Sequence, residues 1–204
     1  MNYLAHLHLG GDRPAQLLGS LYGDFVKGSL QGHYPAELEA AIALHRRVDV
    51  YTDSHPVVRA SRKRFSPKLR RYAGILLDVF FDHCLARDWS RYAEQDLDPF
   101  CVRVYRLLLA QNDLPGRLAE WAPRMARQNW LGSYRDQATL HRVAQHLGRR
   151  LRRPEAMAAA HQQLLSLYEP LSEDFVRFYP DLWHFALANR EPPVHRPAGA
   201  HQLP

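Results

Sequence analysis

The stretch Ile75–Trp89, ILLDVFFDHCLARDW, constrains this chain more than any other. Its apolar residues fall on nearly every side of a helix, so most of it has to be buried. It nevertheless carries Asp78, Asp82 and His83. A buried carboxylate is costly unless a partner or a metal compensates it. Asp78 and Asp82 are four residues apart and share a helix face, and His83 is turned by roughly 100° from Asp82. The trio calls for a cation. That cation is either an arginine, of which the chain has many, or a metal ion. A second polar cluster upstream favours the metal.

The upstream cluster lies in the segment PAELEAAIALHRRVDVYTDS, which Pro35 opens as a helix. Leu38, Ala41, Ile42, His45, Val48, Asp49 and Thr52 form one stripe. His45 and Asp49, at i and i+4, therefore sit on the inward face, with Asp53 near the same line and Arg46 and Arg47 flanking it. Such a pair supplies two ligands, or a ligand and its supporting partner, although alone it is more often a satisfied hydrogen bond. Before it, Ala15–Val26 has a helical pattern that turns Leu17, Leu18, Leu21, Tyr22 and Phe25 inward. Asp24 near its end opposes the helix dipole, so another group has to favour it. Gly28 suits the C-cap. The first stretch, NYLAHLHL, reads as a strand with His6 and His8 on one side, or equally as a helix capped by Asn2.

His55-Pro56 breaks the third segment. A short helix over Val57–Ser66 follows. Arg59, Arg62, Lys63, Arg64, Lys68, Arg70 and Arg71 make this region strongly basic, and Pro67 opens the central helix. Further helices are expected over Pro99–Gln111, Pro115–Tyr134, Arg135–Leu151, Pro154–Tyr168 and Ser172–Asn189. No strand run stands out, so the expected fold class is all-α, one helical domain over residues 1–190. Glu191–Pro204 holds four prolines and no apolar pattern, and reads as a disordered tail.

A net charge of +6 over 204 residues implies an acidic partner without choosing among nucleic acid, anionic membrane and acidic protein. The two cysteines, Cys84 and Cys101, read as reduced core residues of a cytoplasmic protein. No signal peptide is apparent, and no apolar run approaches the roughly 20 residues of a membrane span. Oxygen and imidazole ligands without thiolates suit Mn²⁺, Mg²⁺, Fe or Zn, and a carboxylate-rich set leans toward Mn²⁺ or Mg²⁺. With Lys27, Arg46 and Arg47 nearby to neutralise a phosphate, the chemistry implied is metal-assisted phosphoester hydrolysis.

Several stretches in order, NYLAHLHL, GDFVKG, LHRRVDVYTDSHP, LDVFFDHCLARDW and NWLGSYRD, make the chain resemble the acyl-carrier-protein phosphodiesterases. They cover its first two-thirds. The resemblance extends remotely to the HD-domain metal-dependent phosphohydrolases and implies an HD-like helical bundle. The chain departs from that pattern: its adjacent pair is Asp82-His83, in reverse order, and it has no His-Asp doublet. The HD ligands are therefore not carried over by position. The expected metal set is His45, Asp49, Asp78, Asp82 and His83, with Asp24 close by and Asp53 and His6 as second choices. The resemblance further implies removal of 4'-phosphopantetheine from holo acyl carrier protein, with Mn²⁺ as cofactor. Asp24 or His6 would be the acid for the leaving serine oxygen, and Lys27 and Arg46 would hold phosphate. Acyl carrier proteins are small and acidic, so Arg59, Arg62, Lys63 and Arg64 are expected to dock one. The rival readings are a phosphohydrolase of a small nucleotide-like substrate and a non-catalytic nucleic-acid-binding helical protein. The latter predicts no metal, and its basic residues are not interleaved with exposed aromatics.

Overall fold

The computed structural model describes residues 2–190. The tail expected over Glu191–Pro204 lies outside the described residues. Within them there are eleven α-helices and no strand, in keeping with the all-α expectation. The helices are α1 (Tyr3–Gly10), α2 (Pro14–Tyr22), α3 (Ala36–Ser54), α4 (Pro56–Arg64), α5 (Arg70–Arg87), α6 (Leu97–Leu109), α7 (Leu118–Arg127), α8 (Trp130–Ser133), α9 (Gln137–Arg150), α10 (Pro154–Ser166) and α11 (Tyr168–Asn189). No helix among the described residues is long and apolar enough to cross a membrane.

The first stretch is a helix, the alternative that the alternation of NYLAHLHL left open. Eight residues are too few to hold a helix in isolation, so its stability comes from tertiary contacts. Asp82 of α5 supplies one: its Oδ2 accepts the Leu4 amide at 2.8 Å and its Oδ1 the Ala5 amide at 3.1 Å. Arg190 supplies another at the opposite end, donating to the Leu9 carbonyl at 2.7 Å and the His8 carbonyl at 3.3 Å. His8 ties the helix sideways through the Tyr179 hydroxyl at 2.7 Å and the Tyr92 carbonyl at 2.9 Å.

Around α1 lie α2, α3, α5 and α11. The stripe read on α3 is the inward face: Leu38, Ala41, Ile42, His45, Val48 and Thr52 are buried, and only Asp49 reaches solvent. Gly19 lets α2 approach α3 closely, because a Cβ there would stand 2.4 Å from that of Ala41. α11 runs antiparallel to α3, as the contacts Arg47–Asn189 and Tyr51–Phe185 require. The apolar face of α5 meets α11 through Phe81, Phe175 and Phe178, all buried. Cys84 and Cys101 are buried and unpaired, and burial pushes both thiols up to about 12.

Several boundaries differ from expectation. α2 stops at Tyr22 with Gly23 at its C-cap, and Gly28 lies in the following loop at φ 82°. α5 starts at Arg70, not at Pro67. The segment expected as one helix over Pro115–Tyr134 is two, broken at Asn129, whose φ of 45° is left-handed and whose side chain accepts the Gly132 amide at 3.3 Å.

Replacing Asp82 with Ala leaves two buried amide donors of α1 without their acceptor. The expected loss is on the order of 3 kcal/mol in urea unfolding. An unchanged urea midpoint would show that α1 does not need this cap.

Candidate active site

The C-terminal turn of α2, the middle of α3 and the centre of α1 converge on one cluster. His45 is fixed first. Its Nδ1 donates to the Ser20 carbonyl, 2.7 Å away, so the lone pair of the neutral ring is on Nε2. That nitrogen faces Asp49 Oδ2 at 3.3 Å and Asp24 Oδ1 at 3.8 Å. The backbone at Gly23 presses on the ring, since a Cβ there would lie 2.2 Å from His45 Cγ.

His6 of α1 stacks on His45 with ring centroids 3.6 Å apart and an interplanar angle of 14°. Its Nε2 lies 3.0 Å from Asp49 Oδ1, and its buried Nδ1 has no partner among the described residues. Burial pulls the His6 imidazole down to about 3, and the adjacent His45 adds to this against the pull of Asp49. Burial works to raise the Asp49 carboxyl, but hydrogen bonds to His45 and His6 hold it well below the usual carboxylate range. Burial pushes the Asp24 carboxyl up. Asp49 adds to this shift, while His45 and Lys27 pull the other way.

His6, His45 and Asp49 each offer a ligand atom, all within 4.8 Å of one another, and so could hold a metal ion. The donor set fits one. An acceptor nitrogen on His45 faces carboxylate oxygens, an arrangement that needs a cation or a proton between them. The Ser20 carbonyl behind Nδ1 is the support that a metal-bound imidazole characteristically has. Asp24 and Asp49, with side chains 44% and 43% exposed, open the cluster to solvent.

The expected five-residue set is divided. His45 and Asp49 meet, and His6, a second choice, joins them. Asp82 instead holds the α1 amides. Burial pushes its carboxyl up to about 7, with the two amide hydrogen bonds pulling it down. His83 has both ring nitrogens engaged, by the Tyr134 carbonyl at 2.7 Å and the Tyr168 hydroxyl at 2.6 Å. Asp78 is half-buried one turn before Asp82 and stands outside the close donor group. Asp53 pairs with Arg62.

Two expectations about cations also change. Arg46 donates to the carbonyls of Gly28 and Val26, both at 2.8 Å, so it holds the loop carrying Asp24 and Lys27 and is not free for phosphate. Lys27 is exposed on that loop. Of the basic surface, Arg62 is taken by Asp53, and Arg64 forks onto buried Asp174 at 2.8 and 3.1 Å. Arg59 and Lys63 are exposed. Ser20 and Gly23 were not foreseen. A backbone carbonyl contact leaves no mark on sequence, but a glycine directly before Asp24 is a signal of close approach.

Fold and cluster together define an all-α protein with a solvent-facing centre of two stacked imidazoles and a carboxylate. The chain belongs to the acyl carrier protein phosphodiesterase family, whose model matches residues 1–182. The match thus extends well past the motifs of the first two-thirds. It is similar to a protein of Klebsiella pneumoniae (38% identity, covering 91% of this chain and 97% of the relative). Similar relatives occur in Yersinia pestis (38%, 89% and 95%) and Photorhabdus laumondii (37%, 88% and 92%). All three are named acyl carrier protein phosphodiesterase. No solved structure matches the chain.

Gly23→Ala is expected to push the His45 ring off its stack with His6 and to lower stability by about 1–3 kcal/mol. An imidazole nitrogen NMR spectrum reads this directly. His45 signals identical to wild type would mean that the Gly23 contact does not position the ring.

Proposed function

We propose that the chain is a metal-dependent hydrolase that cleaves the phosphodiester between 4'-phosphopantetheine and the serine of holo acyl carrier protein. The products are apo acyl carrier protein and 4'-phosphopantetheine. Membership of the family supports the substrate. The observation that carries the chemistry is the His45 tautomer, which turns an acceptor nitrogen toward two carboxylates. The family resemblance favours Mn²⁺, with Mg²⁺ or another divalent ion as a substitute, while two imidazoles and one carboxylate by themselves suit Fe²⁺ or Zn²⁺ as well; His6, His45 and Asp49 would hold the ion beside Asp24. Such an ion, when bound, lowers the pKa of water and polarises a phosphoryl oxygen.

The chain's own groups do the rest. Water adds to phosphorus and gives up a proton to solvent, the bond from phosphorus to the serine oxygen breaks, and that oxygen takes up a proton. Asp24, with its carboxyl pushed up by burial and exposed at the mouth, donates it. His6, deep in the cluster, fits the role of ligand better than that of acid. Lys27 offsets charge on the phosphate, and Arg46 holds the loop that presents both Lys27 and Asp24. A cytoplasmic location accords with the two unpaired buried thiols.

Mass spectrometry of holo carrier protein incubated with the protein tests the reaction. Loss of the prosthetic group is expected with Mn²⁺ and not with chelator. A holo mass unchanged in both arms rejects the reading, and equal loss in both rejects the metal. A separate expectation concerns the acid. Asp24 has to be protonated to donate, so the rate falls as pH rises through its raised pKa. Asp24→Asn is expected to lower kcat by about 10²–10⁴ and to remove that alkaline limb. A limb that persists in the variant assigns the acid elsewhere.

A further inference from the structure

We propose that the corner joining α9 to α10 is the surface on which the acidic carrier protein docks. The proposal rests on the hydrolase reading above. Arg149, Arg150, Arg152 and Arg153 are all exposed, and none enters an ion pair among the described residues. This sets them apart from Arg62 and Arg64 of α4, which are tied to Asp53 and Asp174. Leu151, 43% exposed, stands in their midst. An apolar anchor within a ring of cations is the makeup of a protein-docking patch for an acidic partner. Glu155, in the first turn of α10, is the only carboxylate in the sequence 148–155.

The backbone gives an independent sign. The Arg153 amide reaches back to the Gly148 carbonyl at 2.9 Å, closing the end of α9 through Arg152 at φ 55°. That left-handed position ordinarily takes glycine, and a long side chain there is held at a cost in backbone energy. Strain of this kind gathers where function needs the side chain. The two helices approach closely at this corner, because a Cβ on Gly148 would stand 3.0 Å from Pro154 Cα.

α9 packs on α5, the helix whose Asp82 holds the first amides of α1. The charge of Arg150 is felt at the Tyr3 hydroxyl, where burial and then Asp24 raise the phenol's pKa and Arg150 lowers it. Tyr3 lies three residues before His6 on α1 and so on the same side of it. On this proposal the carrier protein reaches Asp24 from this side of α1.

Charge reversal in the variant R149E/R152E/R153E is expected to raise the KM for holo carrier protein about tenfold or more, leave kcat within about twofold, and flatten the salt dependence of kcat/KM. Circular dichroism checks its fold. Arg152→Gly is the safer second variant. It relieves the left-handed strain, so its thermal midpoint is expected to rise while its KM also rises. If wild type releases phosphopantetheine and KM is unchanged in both variants, the docking surface is overturned and the hydrolase reading stands. A wild type that releases none overturns the hydrolase reading itself. A KM increase in R59E/K63E but not at the corner would place docking on α4 and overturn the proposal. Loss of labelled-duplex binding at the corner, with KM unchanged, would make it a nucleic-acid surface and do the same.

Discussion

The structure depends on how a very short helix is held at both ends. α1 has eight residues and no stabilising cap of its own, since the Asn2 side chain makes no capping hydrogen bond. Its N-terminal amides are taken by a carboxylate 78 residues away, and its C-terminal carbonyls by a guanidinium 181 residues away. A carboxyl at the N-terminus and a guanidinium at the C-terminus also stand at the ends where the helix dipole favours their charged forms. The acid and the base that look expensive in isolation are thus the means of fixing α1. With α1 fixed, His6 is delivered against His45.

The candidate cluster follows from that placement. Two imidazoles stacked at 3.6 Å would repel if both were charged, and burial drives the His6 ring toward its neutral form. The two rings present nitrogens to one carboxylate, Asp49, from two sides. The Ser20 carbonyl and the bare backbone at Gly23 leave the His45 ring no other orientation. Around this fixed core the loop bearing Asp24 and Lys27 is exposed but braced by Arg46, so a substrate phosphate can reach it without refolding the site.

Much of the fold was legible because it depends on periodicity. The α3 stripe put His45 and Asp49 on the inward face, and the breaks at His55-Pro56 and Arg153-Pro154 are real. In α5 the principle held that a buried acid needs compensation, but the compensator could not be read. Asp82 is satisfied by backbone amides distant in sequence, and His83 by a carbonyl and a phenol. Backbone groups are identical in every residue, so they leave no compositional trace. Arg64 illustrates the same limit from the other side. A basic run looked like free surface, yet one of its members neutralises Asp174 in the interior. His6 reads from sequence as a second-choice ligand or as the acid, because NYLAHLHL fits a strand or a helix and its place beside His45 is fixed only once α1 is placed.

On the proposed reading, the two stacked imidazoles and Asp49 hold one divalent ion. The direct measurement is anomalous diffraction at the manganese edge from a crystal soaked in Mn²⁺. A single strong peak bounded by His6 Nε2, His45 Nε2 and the Asp49 carboxylate is the expected result. A peak at Asp82 and His83, or none within reach of the His6 and His45 rings, would contradict that reading.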